Sequence, residues 1–199
     1  MSQSRHSHYQ IHPVFLQRWS SRAFVPEPIA EQELLRVLEA ARWAPSALNS
    51  QPWRFVYARR DDAVWPLWLG LLSEYNQSWA RHASALVLIV SKKTFTPPYQ
   101  HQAVGISSHS FDSGAAWGFL ALQAEWAGYA THAIGGFDRE QTRRLLEIPE
   151  DYHLEAFVAI GRRGDKSQLI AELQSREAPN QRRPLSQFYA VGKFDFADV

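Results

Sequence analysis

The clearest alternation of apolar and polar positions lies in the stretch VPEPIAEQELLRVLEAARWAP. Leu34, Leu38 and Ala41 recur on one face of a helix with Leu35 beside them, and the charged residues between them fall elsewhere. Pro45 ends the pattern, because a residue that precedes proline is pushed out of helical dihedral angles. The stretch therefore predicts an amphipathic helix that packs one face on a core.

Short apolar runs elsewhere have the length and the branched residues typical of buried strands. They are RFVYA, with the strand placed at 55–58, then ALVLIVS, ATHAI and EAFVAIG. Helices are predicted for PVFLQRW, for DAVWPLWLGLLSEYNQSWARHA, for the nearly all-apolar residues 112–129, for DREQTRRLLEI with an Asp138 cap, and for DKSQLIAEL with an Asp165 cap. Strands that alternate with helices predict an α and β protein in which helices cover a sheet.

The composition limits the function classes. The 199 residues suffice for one core, and the net charge of +1 gives no reason to expect nucleic-acid binding. Because cysteine is absent, thiol catalysis, disulfides and thiolate metal sites are excluded. The N-terminal histidines have no carboxylate nearby, so no metal site is predicted. Without a signal-like segment or a sufficiently apolar span, we expect a soluble cytoplasmic protein that enters no membrane.

Three polar clusters are not explained by packing. In RWSSR, Arg18, Ser20 and Arg22 alternate, so that an extended backbone directs two guanidinium groups and a hydroxyl to one side, as a phosphate requires. The second cluster is APSALNSQPW, and the third is the pair Gly135-Gly136 after a strand, where the backbone can approach a ligand closely. Taken alone, RWSSR also fits a solvated surface, and the glycines fit an ordinary strand-to-helix turn.

Taken together and in this order, the segments resemble the nitroreductase family of flavoproteins. The resemblance rests on RWSSRAF, ARWAPSALNSQPWRF, IGGFD with the capped helix and LEIPEDY, AIGRRGD and a closing RRPL, and it spans about residues 15–188. It implies an α+β, three-layer fold with a central, mostly antiparallel sheet flanked by helices, in an intertwined homodimer. It also implies a flexible tail over residues 1–12 and one FMN-binding domain over 13–199, with a C-terminal extension onto the partner subunit.

In the family, each dimer holds two FMN sites at the subunit interface, and both chains contribute to each site. By match, the first motif holds the FMN phosphate and ring edge, through Arg18, Trp19, Ser20 and Arg22. The closing RRPL returns an arginine to the phosphate, with Arg182 as the choice and Arg183 next.

The remaining matches concern the flavin ring and the second chain. The Pro-Ser-x-x-Asn element reaches across from the partner and assigns Pro45, Ser46, Ala47 and Asn49, whereas Gln51 and Trp53 are expected to close the turn. The resemblance also places Asn76 by the flavin and the backbone of Gly135 and Gly136 near N5.

One position departs from the family pattern. Some relatives have a lysine beside the pyrimidine end of the flavin, where this chain has Trp79, which supplies no positive charge. Either Arg81 or a backbone donor replaces the lysine, or the flavin is harder to reduce.

The activity implied is a ping-pong transfer of hydride from NADH or NADPH through FMN to electron-poor acceptors such as nitroaromatics or quinones. No catalytic side chain is predicted, because the chemistry belongs to the cofactor. The irregular segment 94–110 is expected to contact the acceptor, with Tyr99, His101 and His109 as candidates. Two alternatives stay open: an FMN-binding sensor or store without turnover, and a family variant that dehalogenates aromatic rings, oxidises heterocycles or breaks down flavin.

Overall fold

A four-stranded sheet separates two layers of helices in the computed structural model, which describes residues 5–196. The strands, in chain order, are β1 (Trp53–Arg59), β2 (Ala85–Lys92), β3 (Thr94–Phe95), β4 (Val104–Gly105), β5 (Ala130–Ile134) and β6 (Tyr152–Gly161). The sheet has the order β1-β2-β6-β5 with every neighbouring pair antiparallel, and β3 pairs separately with β4. All four apolar runs therefore form strands of one sheet, as the sequence predicts.

The helices lie between these strands and near both ends of the described chain. They are α1 (Val14–Gln17), α2 (Glu31–Arg42), α3 (Trp65–Gly70), α4 (Glu74–Ala80), α5 (His109–Trp126), α6 (Arg139–Leu145) and α7 (Ala171–Gln174). Short 3₁₀ turns cover Ala47–Asn49, Lys166–Gln168 and Leu185–Gln187.

Two hydrophobic clusters cover the two faces of the sheet. On one face, buried side chains of α2 and α5, such as Leu34 and Leu120, pack on Val87 of β2. On the other face, Trp68 of α3 packs its ring at right angles to Phe157 of β6. Because helices cover both faces, the predicted three-layer α+β fold with an antiparallel sheet is confirmed.

The single helix predicted for residues 62–83 is wrong, because the chain breaks between α3 and α4. Leu72 forms an isolated bridge with Phe137, and the Ser73 amide donates to the Gly136 carbonyl at 3.0 Å. Those backbone groups are satisfied outside the helix, so the helix ends and a second begins. The break also brings α4 against the double glycine.

The long apolar helix α5 covers residues 109–126 rather than 112–129. Gly128 ends it with φ of 81°, a left-handed conformation that glycine adopts without a steric penalty. The Tyr129 amide bonds to the Ala124 carbonyl at 2.8 Å and the Gly128 amide bonds to the Glu125 carbonyl at 3.0 Å, which is a Schellman motif.

Two smaller expectations also need correction. The segment 94–110, predicted to be irregular, contains the paired strands β3 and β4 and the start of α5. Asp165 accepts from the Ser167 amide at 2.7 Å, as an N-cap should, but the helix predicted over residues 165–173 is divided into a 3₁₀ turn and α7.

Between residues 5 and 196, none of the helices is long and apolar enough to span a membrane. The ends of the ranges 1–12 and 13–199 lie outside the described residues, and that division stays a prediction.

Candidate functional site

Five arginine side chains line one cavity of about 210 Å³. The lining set combines the first motif with a C-terminal segment, a β5 residue and the N-terminal tail: Arg5, Arg18, Trp19, Ser20, Arg22, His132, Arg176, Ala178, Asn180 and Arg182. We call it the arginine cavity. All four residues assigned from RWSSR lie on its wall, and so does Arg182.

The backbone between α1 and the sheet explains this arrangement. After α1 the chain leaves the helix at Arg18, with ψ of 128°. Arg18, Trp19, Ser20 and Arg22 then line the cavity, while Ser21 is buried. The two C-terminal arginines differ in their surroundings. Arg182 lines the cavity and donates to the Asn180 side chain at 2.9 Å, whereas the Arg183 guanidinium lies 5.5 Å from the centre of the Phe188 ring.

The arginine cavity concentrates positive charge, although the net charge of the whole chain is only +1. Burial and then the neighbouring Arg182 lower the pKa of Arg18 below its ordinary value. Arg5 shows the same direction of pKa shift, from burial and then from Arg182 and Arg18. Crowded guanidinium groups that are partly removed from water favour the arrival of an anion, and guanidinium matches phosphate oxygens well.

His132 adds a neutral ring to the wall. Burial, followed by the charge of Arg22, lowers the pKa of His132 to about 4. Its Nδ1 lies 3.1 Å from the Ser21 carbonyl oxygen, which fits a neutral imidazole that donates from this nitrogen. At neutral pH the positive charge of the cavity therefore comes from arginine alone.

The double glycine meets Asn76 at the other end of β5. The Gly136 carbonyl accepts from Asn76 Nδ2 and from the Ser73 amide, both at 3.0 Å. A Cβ on Gly136 would lie 2.8 Å from Asn76 Nδ2, so a side chain at this position would displace the Asn76 amide. No described atom lies within 4 Å of the position that a Cβ would take on Gly135. That side of the backbone is open to a ligand.

The APSALNSQPW loop has a strained and mostly exposed backbone. Leu48, Asn49 and Gln51 have φ of 53°, 53° and 47°, a left-handed region that costs non-glycine residues energy. Ser46 Oγ accepts from the Gln51 amide at 3.0 Å, which closes the turn. Strain of this kind persists only where surrounding contacts hold it.

Asp112 of α5 holds the start of this loop. Its Oδ2 accepts from the Ala47 amide at 3.1 Å and from Ser108 Oγ at 3.0 Å, and the residue is only 4% exposed. The loop is therefore attached at the beginning of α5.

The arginine cavity lies at the opposite end of α5. The His12 and Trp126 rings are 5.3 Å apart, and Arg163 pairs with Glu125, whose charge acts on Arg18. At 1.5 Å per residue, Asp112 and Glu125 are roughly 20 Å apart along the helix. Within one chain, the loop with Pro45, Ser46, Ala47 and Asn49 is thus not brought to the arginine cavity.

Trp79 does not lie on the wall of the arginine cavity. It is 1% exposed and packs against Phe24 and His132, with ring centroids 6.2 Å and 4.7 Å away. The departure from the family pattern thus places a core side chain behind His132. Arg81 is exposed, and its suggested role in place of a lysine stays a prediction.

The acceptor candidates differ in their surroundings. Tyr99 and His101 are exposed, whereas the His109 Nδ1 lies 2.7 Å from the Oγ of Ser91, a buried residue that also donates to Glu155. His109 is thereby part of a polar network beneath the start of α5.

Several residues of the site escape sequence reasoning. Arg5, Arg176 and Asn180 lie in polar segments without periodicity, and nothing in their spacing points to a shared cavity. Asp112 carries a weak signal as a single acid at the start of an apolar helix, and His132 carries one as a histidine in an apolar strand.

Comparison with known proteins gives a consistent result. The model of the nitroreductase family matches residues 15–68 and 60–162. A crystal structure described as an oxidoreductase containing FMN is 44% identical and superimposes with a TM-score of 0.94 over 99% of each chain. A nitroreductase family protein from Streptococcus pneumoniae shares the fold, with 20% identity and a TM-score of 0.70 over 89% of this chain and 97% of that one. Among curated proteins, an NADH dehydrogenase of Thermus thermophilus is 28% identical over 73% of this chain and 83% of its own length.

Proposed function

Because the chain belongs to the nitroreductase family, we propose that it is an FMN-dependent NAD(P)H oxidoreductase. The arginine cavity is the observation that carries this proposal, since it gives a phosphate monoester several guanidinium partners in one partly buried place. The relatives' names support the cofactor and the reductant: one structure contains FMN, and one protein is an NADH dehydrogenase.

The residues present fit FMN at its phosphate end. Arg18, Ser20, Arg22 and Arg182 would hold the phosphate, and Trp19 would border the ring edge. The Nε of Arg22 is buried without a partner among the described residues, and a phosphate oxygen would satisfy such a donor.

The ring end fits the double glycine. Gly135 directly follows β5 and lies three positions after His132, or about 10 Å away at 3.3 Å per residue. The cavity and the glycines therefore suit the two ends of one elongated ligand. The open side of Gly135 lets the backbone approach a planar ring, and Asn76 fixes the Gly136 peptide. Bound FMN would supply the hydride chemistry at N5, while the chain orients it and excludes water.

The second chain would complete the site. The exposed loop of Pro45, Ser46, Ala47 and Asn49 lies roughly 20 Å from its own arginine cavity along α5, so the proposal assigns it to the partner's site in a homodimer. Phe111, Phe119 and Trp126 of α5 are 82%, 41% and 62% exposed, which gives the helix an apolar surface for a partner. A C-terminal extension onto that partner and a cytoplasmic location belong to the same proposal.

The proposed reaction is a ping-pong transfer of electrons from NADH or NADPH to a nitroaromatic or a quinone. The reductant and the acceptor would occupy the open side of Gly135 in turn. Steady-state rates with each reductant and a naphthoquinone test it. Double-reciprocal plots at several fixed quinone concentrations should give parallel lines, and protein-free FMN serves as the control. NAD(P)H consumption at the rate of that control would contradict an enzyme and favour an FMN sensor or store.

One relative favours a second substrate class. An iodotyrosine deiodinase of Thermotoga neapolitana is 25% identical over 72% of this chain and 83% of its own length. Halogenated phenols therefore belong in the acceptor panel. Faster turnover of these than of quinones would move the proposal to reductive dehalogenation.

A further inference from the structure

Glu177 binds the backbone of the first motif from behind the arginine cavity. A single carboxylate oxygen, Oε1, accepts from Ser21 Oγ at 2.7 Å, from the Arg22 amide at 2.7 Å and from the Ala23 amide at 2.9 Å. The residue is 9% exposed and follows α7 closely, about 155 positions away in sequence from its partners. Three donors on one oxygen form an anion site in the backbone that a side chain of the same protein fills.

The same contact fixes the C-terminal segment that supplies two of the five arginines. Arg176 precedes Glu177, and Asn180 and Arg182 follow it within five residues, on the wall of the cavity. At the far end of this segment, Arg5 Nε donates to the Asn180 carbonyl at 2.9 Å, and Arg5 Nη1 donates to the Arg18 carbonyl at 2.6 Å. Residues 176–182, which we call the clasp, are thus attached at both ends to the first motif.

Held in this way, the clasp brings positive groups together that would otherwise separate. Arg5, Arg18 and Arg182 all line the arginine cavity, and Arg182 contributes, after burial, to the lowered pKa of Arg18 and of Arg5. Like charges in one cavity repel each other, so fixed hydrogen bonds are needed before any ligand arrives. The Glu177 carboxylate provides those hydrogen bonds, while the counter-charge that acts on Arg18 and Arg5 is Glu125.

We propose that Glu177 is a positioning residue for phosphate recognition: it holds the first motif and the clasp in the arrangement that binds the phosphate of FMN. This inference rests on the proposed function. It assigns to Glu177 no contact with the cofactor and no part in the chemistry. The amides of Arg22 and Ala23 are used by Glu177, so phosphate selectivity falls to the guanidinium groups and Ser20.

A purely electrostatic view predicts the opposite effect. Removal of a negative charge near the cavity would raise its positive potential and tighten the binding of an anion. Three hydrogen-bond donors already compensate the Oε1 of this carboxylate, and removal of the side chain would leave the amides of Arg22 and Ala23 without this acceptor. We therefore expect the loss of positioning to exceed the gain in potential.

The test compares FMN with riboflavin, which has the same ring and ribityl chain but no phosphate. Dissociation constants for both are measured by quenching of flavin fluorescence on wild-type protein and on Glu177→Ala, which removes the acceptor oxygen that a glutamine would keep. The variant should bind FMN about tenfold or more weakly, as the loss of one charge-assisted contact does, with riboflavin affinity changed less than about twofold. Glu172→Ala, at an exposed glutamate on α7, is the matched control and should behave as wild type.

Each other outcome overturns the inference in a distinct way. Equal weakening of FMN and riboflavin would show a general structural role, and tighter FMN binding would show that charge alone matters. If Glu177→Ala does not fold, Ser21→Ala removes one donor to the same oxygen and should lower the FMN-to-riboflavin preference in the same direction; an unchanged preference overturns the inference. Wild-type protein that binds neither flavin would instead overturn the proposed function.

Discussion

His132 links the chemistry of the arginine cavity to the stability of the fold. Burial, followed by Arg22, lowers its pKa from 6.5 to about 4, while the Ser21 carbonyl and Glu177 act in the opposite direction. Between these values the unfolded chain binds more protons than the folded chain, so the free energy of unfolding falls as the pH falls. From pH 7.5 to pH 5 this single group should remove about 2 kcal/mol.

Urea unfolding of wild-type protein and of His132→Gln at both pH values measures this contribution. The variant should lose about 2 kcal/mol less than wild type over the same interval, and His101→Gln, which removes an exposed imidazole, serves as the control. Equal losses for wild type and His132→Gln would contradict a histidine kept neutral by the cavity.

At this scale, local spacing predicted part of the site well. Arg18, Ser20 and Arg22 lie on one wall, as their alternate spacing predicts, but Trp19 lies on it too, and the Ser21 amide bonds back to the Trp19 carbonyl in a tight turn. Arg5 and Glu177 were not predictable, since only tertiary structure joins them to residues that are distant in sequence.

The loop after α2 shows how one element supports another. Asp112 on α5 accepts from the Ala47 amide, next to a run with three left-handed non-glycine residues. Asp112→Ala should lower the free energy of unfolding by about 1.5–3 kcal/mol, because hydrogen bonds to a buried charge are lost. Flavin affinity should also fall, since the loop is proposed to serve the partner's site.

Asp112→Asn is the conservative comparison, because its amide oxygen can still accept from Ala47. Urea unfolding and flavin titration of both variants should place it between wild type and Asp112→Ala. Wild-type flavin affinity in Asp112→Ala would show that the loop geometry does not depend on this contact.

The helix break between α3 and α4 was not predictable from periodicity. The apolar pattern continues through Leu71 and Leu72, and only the pairing of Leu72 with Phe137 ends the helix. Strand runs were predicted correctly because burial on both faces leaves an unbroken apolar signal in the sequence. Helix boundaries that depend on a distant backbone partner leave no such signal.

For the whole molecule, the proposed dimer makes a prediction about mixed subunits. If each site takes Arg18 from one chain and Asn49 from the other, a heterodimer of Arg18→Ala and Asn49→Leu chains retains one intact site of two. Flavin titration of purified heterodimers should therefore show about half a site per chain with wild-type affinity. Arg18→Ala homodimers should bind weakly at every site, since a charge-assisted phosphate contact is worth roughly 1.5–3 kcal/mol. Asn49→Leu homodimers should also bind weakly at every site, since each site then lacks the polar side chain that the partner's loop is proposed to supply. Two equally weakened sites in the heterodimer would place both residues in the same site of one chain.

The central claim is that this chain binds FMN and that a reduced nicotinamide reduces it. One experiment tests both parts: the visible absorption spectrum of the purified protein, which is loaded with FMN if needed. The spectrum is recorded before and after anaerobic addition of NADPH and then of NADH. We predict a flavin band that bleaches with at least one of the two reductants. A band that persists with both would contradict the reductase and leave only flavin binding, and no band after incubation with FMN would contradict the account as a whole.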